Sequence, residues 1–132
     1  GTDYDVALEA SLKLKEITYI HSEGLPGGEL KHGPIALIAK DTPVIGFISD
    51  PLTDLPIRSN FKEVEARGAT VITVVSKSLA KAGDAITVPD VKEYLSPLVK
   101  VLIAQYLAYF AALELKVNID KPRNLAKSVT VE

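Results

Sequence analysis

The sequence contains no cysteine, and this absence removes several kinds of chemistry at once. Without thiols there is no disulfide, no thiolate metal site and no cysteine nucleophile. Only two histidines are present, so a dedicated metal centre is not expected. The glycines at 24, 27 and 28 follow a predicted helix rather than a strand, which argues against a dinucleotide or P-loop fingerprint. We therefore expect neither a metal nor an organic cofactor.

An excess of charge of one sign is also missing. The net charge of -2 and the lack of a basic, aromatic-rich patch give no reason to expect nucleic acid or a membrane as a partner. The first residues are acidic and have no apolar core, unlike a signal peptide. The chain starts without Met, almost directly on a helix, which is typical of an excised domain. A length of 132 residues then predicts one soluble, cytoplasmic domain.

The hydrophobic pattern alternates between helices and buried strands. A helix is predicted over about 6–20, with Asp3 or Asp5 as its N-cap, and a second over 55–67 after a loop at 49–54. Continuous apolar runs predict strands over 43–48, 70–75 and 85–88. Such alternation indicates an α/β fold, with helices covering both faces of a parallel sheet in three layers.

A last helix, predicted over about 95–117, is apolar nearly all round. Lys100 and Gln105 interrupt the apolar run, which falls short of the roughly 20 residues that a bilayer needs. We expect this helix to be buried under the sheet or in a subunit contact, and we favour a subunit contact for part of it.

Three charged residues of the first helix share one stripe. At about 100° per residue, Glu9, Lys13 and Glu16 line up, with apolar residues on both sides. Such a row is either an ordinary salt-bridge ladder or a partly buried acid–base site. Periodicity alone does not decide between the two. His32, between Lys31 and the Gly33-Pro34 turn, could donate or accept a proton near neutral pH.

Two long segments carry a resemblance to a known family. ALEASLKLKEITYIHSEGLPGGELKHGPIALI and DKPRNLAKSVTVE closely resemble the isomerase region of the glutamine:fructose-6-phosphate amidotransferases. That region consists of two sugar-isomerase (SIS) domains with a flavodoxin-like αβα architecture. This chain resembles the second of them over residues 1–132, with 118–132 as a tail over the active site.

The resemblance implies roles for single residues. Glu16 would be the base that moves a proton between C1 and C2 of the open-chain sugar. Lys127 would form a Schiff base with the ketose carbonyl. A free lysine has a pKa of about 10.4, so it needs desolvation or a neighbouring cation to react as an amine. Lys13 is the candidate for that cation.

The same resemblance gives further contacts. His32 would assist ring opening, reaching the site from the neighbouring subunit of a homodimer. The Ala126 backbone would lie beside the substrate, and Arg123 would help to hold the tail. Glu9 is a secondary candidate. Two departures, Ala10-Ser11 for Gly-Ala and Leu25-Pro26 in the loop before His32, leave these residues in place.

The expected function is one part of hexosamine biosynthesis. The substrate would be fructose 6-phosphate and the product glucosamine 6-phosphate, with ammonia from a glutaminase domain. That domain, with its cysteine nucleophile, and the first SIS domain are not in this sequence. Two alternatives stay open: a phosphosugar-binding module without turnover, and a structural fragment that dimerises through the long helix.

Overall fold

A computed structural model describes residues 1–125, and its main elements alternate as the sequence predicts. The strands form a three-stranded parallel sheet in the order β1-β2-β3. The elements are α1 (Thr2–Thr18), β1 (Pro43–Ile48), α2 (Pro51–Glu65), β2 (Thr70–Ser76), β3 (Ile86–Val88) and α3 (Ser96–Glu114). Short 3-10 turns connect several of them. The α/β architecture, with helices on both sides of the sheet, is confirmed.

The alternating side chains of β1 show which helix covers each face. Phe47 belongs to a buried cluster with Val6 of α1 and Ala104 of α3, so α1 and α3 lie on one face. Gly46 points to the other face, where a Cβ atom would come within 1.9 Å of the Phe61 ring of α2. Only glycine fits there, because any side chain would displace that ring. The core therefore lies between two helices on one face and α2 on the other.

A buried ion pair joins α1, β1 and α3. Lys100 is fully buried, and its ammonium group bonds to the Asp3 carboxylate and to the Ser49 hydroxyl. Asp3 also accepts bonds from the Ser49 backbone N–H and hydroxyl, each at 2.8 Å. Burial lowers the pKa of Lys100 to about 8. The N-cap prediction for Asp3 or Asp5 was wrong, since no side chain caps α1 and Asp3 binds Lys100 instead.

The predicted loop at 49–54 was also wrong from Pro51 onward. α2 begins at Pro51, because Asp50 accepts the Leu52 N–H at 2.8 Å as an N-cap and proline suits the first helical turn. α2 ends at Glu65, two residues before its predicted end at 67, and Gly68 adopts a positive φ of 96° in the turn that follows.

Part of α3 lies uncovered. Leu98, Leu102, Tyr106 and Phe110 are between 52% and 64% exposed. With the turn before it, the helical stretch at 93–114 is 22 residues long, and its length and composition would allow it to cross a membrane despite Lys100 and Gln105. It is the one helix among the described residues that meets this criterion, by length and composition alone. Core helices of soluble proteins meet it too, and α3 packs against α1.

A second charged cluster ties α2 to the loop before β3. The Arg58 guanidinium binds both oxygens of Asp84, at 2.7 and 2.8 Å, and the Asp54 carboxylate at 2.5 Å. Asp84 is only 4% exposed. The Arg58 guanidinium lowers the pKa of Asp84 to about 2. This paired carboxylate stabilises the fold wherever it is ionised.

We predict that Asp84→Asn lowers the free energy of unfolding by about 2 kcal/mol at pH 7, the value of a pKa shift from 3.8 to about 2. The native stability present above pH 4 is lost as the pH falls toward 2, since the unfolded carboxylate takes up its proton first. In urea unfolding experiments, the free energy of unfolding of Asp84→Asn should depend less on pH over this range than that of the unsubstituted chain. Asp5→Asn, an exposed control, should show the same pH dependence as the unsubstituted chain. If Asp84→Asn also showed that dependence, the stabilising role of the Asp84 carboxylate would be contradicted.

Candidate functional site

The charged row of α1 forms a direct ion-pair set. Lys13 Nζ donates to Glu16 Oε2 at 2.7 Å and lies 3.5 Å from Glu9 Oε1. The three side chains are 29% to 38% exposed, so the row is half-buried. Leu8 and Leu12 beside it are 43% and 44% exposed, so this flank of the row is largely uncovered. The row lies on an open surface of mixed polarity.

Lys13 is the fixed positive charge of this row. The hydrogen bond to Glu16 raises the pKa of Lys13 above its usual value. Lys13 therefore stays protonated at neutral pH and holds the Glu16 carboxylate in one direction. A cation beside a carboxylate is an arrangement that suits proton transfer at a neighbouring amine or carbonyl.

α1 ends within one turn of Glu16. Thr18 is buried, and its hydroxyl donates to the Leu14 carbonyl at 2.6 Å and accepts the Ile20 N–H at 3.1 Å. Tyr19 has a left-handed backbone, with a φ of 64°, and its N–H bonds to the Lys15 carbonyl at 3.1 Å. The predicted helix end at about 20 is thus two residues too late. This left-handed residue turns the chain away from the helix axis.

The loop after α1 runs back along the helix. The Ser22 hydroxyl donates to the Ser11 carbonyl at 3.0 Å. At Gly24 a Cβ atom would lie 2.7 Å from the Ala7 carbonyl oxygen, so the loop touches the helix backbone and requires glycine there. These contacts fix the path of the chain from α1 toward His32.

The turn that carries His32 packs against α2. The Gly27 carbonyl accepts a bond from Asn60 at 2.8 Å, and Lys31 pairs with Glu63 at 2.6 Å. His32 itself is exposed. Because α2 and α1 cover opposite faces of the sheet, no described contact of this chain joins His32 to Glu16. Its predicted role from a neighbouring subunit stays a prediction.

The C-terminal segment returns to the end of α1. The Asn118 side chain accepts the N–H groups of Asp120 and Lys121, at 3.0 Å each, and forms a local turn. The Arg123 N–H then donates to the Tyr19 hydroxyl at 2.9 Å, and its guanidinium carbon lies 4.1 Å from the centre of the Tyr19 ring. Ala126 and Lys127 lie outside the described residues, so their roles remain predictions.

An apolar cleft in the described part lies apart from this row. It has a volume of about 300 Å³ between the sheet and α3, and its lining includes Ile45, Ile72, Ile103 and Phe110. Such an apolar lining provides few hydrogen-bond partners for the hydroxyls and phosphate of a sugar. Among residues 1–125, no group of three or more His, Asp or Glu side chains is placed to hold a metal ion.

Sequence reasoning missed two features of this region. Tyr19 lies near the end of the predicted first helix and was given no role, yet it is the contact point for the C-terminal segment. Lys100 was treated as an interruption of an apolar helix, yet it anchors α1. No local signal reveals either contact, because the partners are 104 and 97 residues apart in sequence.

Comparison with known proteins places this chain in a family. Residues 1–115 match the SIS domain, and the chain belongs to that family. It is 57% identical, over all 132 residues, to a glutamine--fructose-6-phosphate aminotransferase [isomerizing] of Lactiplantibacillus plantarum, of which it covers 22%. The protein of that name from Staphylococcus aureus (strain COL) is 55% identical over 98% of this chain, again with 22% of its length covered.

Two solved structures share the fold. The C-terminal domain of glucosamine-fructose-6-phosphate aminotransferase from Francisella tularensis is 37% identical, with a TM-score of 0.80, over 89% of this chain and 34% of that one. A glucosamine-6-phosphate deaminase from Thermotoga maritima is 32% identical, with a TM-score of 0.78, over 96% of this chain and 37% of that one. The resemblance read from the sequence is confirmed at the level of family and region.

We predict that Glu16→Gln changes the free energy of unfolding by less than about 1 kcal/mol, because an ion pair that is about one-third exposed stabilises a protein little. Chemical unfolding in urea would measure this change. Glu23→Gln, at an exposed position of the following loop, is the matched control. A loss of several kcal/mol in Glu16→Gln alone would mean that the row is a structural ladder rather than a site.

Proposed function

We propose that this chain is the C-terminal SIS unit of an isomerase that converts fructose 6-phosphate and ammonia to glucosamine 6-phosphate. The observation that carries the proposal is the docking of the C-terminal segment on Tyr19, three residues beyond Glu16. This contact brings together two segments that lie more than a hundred residues apart. The identity of 57% across the whole chain supports the substrate class.

Lys127 and Glu16 would act in different steps of the reaction. The Lys127 amine attacks C2 of the open-chain ketose and water leaves, which gives an imine; ammonia then replaces the lysine at C2. Glu16 takes a proton from C1 of this imine and returns it to C2, while the C1 hydroxyl proton passes through solvent to the imine nitrogen and C1 becomes the aldehyde. The product carries the amine on C2. Lys13, which stays charged, would favour the neutral amine of Lys127 and hold Glu16 toward the sugar.

Other parts of the site would come from outside this chain. The chain spans about 22% of the length of the curated relatives it matches. The ammonia source and most of the phosphate contacts would belong to the remainder. Glu9 and the Ala126 backbone complete the contacts to the sugar from this side, and Arg123 holds the tail. The enzyme would act in the cytoplasm.

The position of His32 and the surface of α3 both favour a homodimer. His32 lies with α2, away from α1, so a second subunit is the simplest source of a histidine at Glu16. The exposed face of α3 is largely apolar, and its residues include Leu98, Leu102, Tyr106 and Phe110. Such a patch suits a protein contact.

We predict the following for a chimera in which this chain replaces the matching 22% of the Lactiplantibacillus plantarum relative. The chimera should form glucosamine 6-phosphate from fructose 6-phosphate and glutamine. Lys127→Arg and Glu16→Gln should each lower that rate at least ~100-fold, in the range of a lost general base or nucleophile, with glutamine hydrolysis retained. Product assays and glutamate release measure the two activities.

Lys121→Arg and Glu23→Gln are the matched controls and should keep full activity. If Lys127→Arg or Glu16→Gln formed product at the unsubstituted rate, the role of that residue would be refuted. A chimera that binds fructose 6-phosphate by calorimetry but makes no product would favour the binding module without turnover.

A further inference from the structure

We infer that Tyr19 is a positioning residue, which docks the C-terminal segment through Arg123 and so limits how far Lys127 lies from Glu16. The effect on catalysis depends on the proposed function. The docking itself does not, because it concerns only described residues. Tyr19 has no part in the chemical steps proposed for Glu16 and Lys127.

Tyr19 holds the segment at two points. Its hydroxyl accepts the backbone N–H of Arg123 at 2.9 Å, and its ring face lies 4.1 Å from the guanidinium carbon. The first contact fixes the main chain and does not depend on the side chain at 123. The second is a cation–π contact, which requires a cation over an aromatic ring. Phenylalanine would keep only the second contact, and leucine would keep neither.

The tyrosine is itself held in place. Its left-handed backbone, at φ 64°, is a conformation that residues other than glycine rarely adopt. The Lys15 carbonyl fixes its N–H, and the buried Thr18 holds the residues on either side through Leu14 and Ile20. An uncommon conformation of this kind persists where its surroundings determine it. The ring is therefore presented to the returning segment by the helix end itself.

Docking shortens the tether that carries Lys127. From the end of α3 at Glu114, the chain to Lys127 is about thirteen residues long; from Arg123 it is only four. Four residues span at most about 14 Å, which is the farthest that Lys127 can lie from Arg123. Effective concentration falls as roughly the −3/2 power of tether length, so docking raises it about 6-fold.

The docking is tested first in the 132-residue chain by amide hydrogen exchange, observed by NMR. The Arg123 amide should be protected in the unsubstituted chain and should lose protection in Tyr19→Phe and Tyr19→Leu. Tyr94→Leu, at a tyrosine that is 70% exposed, is the matched control and should leave Arg123 protected. Equal exchange at Arg123 in the unsubstituted chain and in Tyr19→Leu would overturn the docking. Tyr19→Phe keeps the test valid if leucine disturbs the helix end.

The effect on Lys127 is tested in the chimera by borohydride trapping of fructose 6-phosphate. The trapping rate should fall about 6-fold in Tyr19→Leu, with a smaller fall in Tyr19→Phe, and kcat should drop more than KM rises. An unchanged rate, with Arg123 deprotected, would overturn the positioning role. If the unsubstituted chimera gave no adduct, the proposed function would fail, and the exchange experiment would still decide the docking.

Discussion

The placement of the candidate site depends on the buried pair of Lys100 and Asp3. With Ser49, this pair fixes the first turn of α1 to the end of β1 and to α3. Removing one partner would leave the other buried without compensation, a change that typically costs 3–5 kcal/mol. Glu16 lies thirteen residues along the same helix, about 20 Å from Asp3 at 1.5 Å per residue. The charged row is therefore held far from the carboxyl edge of the sheet, where ligands commonly bind in α/β proteins. A site in this position is built from the flank of a helix, and it needs other segments to cover it.

The elements of the fold could be predicted because their signals are local. Continuous apolar runs predicted the three strands, and Gly68 predicted the end of α2 to within about three residues. Helix starts were harder to predict, because an aspartate can belong to a loop, cap a helix or form an ion pair. Asp50 and Pro51 were assigned to a loop, although an acidic residue followed by proline is also a helix start. Asp3 had the composition of an N-cap but bonds to Lys100, a residue that a local pattern could not connect to it.

The candidate site was predictable to a similar extent. Helical spacing placed Lys13 beside Glu16, and the structure confirms that contact. The exposure of the row was not predictable, because it depends on how α1 packs against α3 and the sheet rather than on neighbouring residues. The contact between Tyr19 and Arg123 joins residues that are distant in sequence, so it forms only when the chain folds. The chemical roles of Glu16, His32 and Lys127 rest on the family resemblance, since geometry alone shows a cation, a carboxylate and a returning chain.

The most direct test of this account asks whether the residue at position 127 reaches the end of α1. The chain has no cysteine, so Lys127→Cys offers a single attachment point for a nitroxide spin label. Paramagnetic broadening of backbone amides would then report distances from that position by NMR. The account predicts the strongest broadening over residues 13–20, with residues 2–8 at the other end of α1 little affected. Broadening centred elsewhere, or spread evenly along α1, would contradict it.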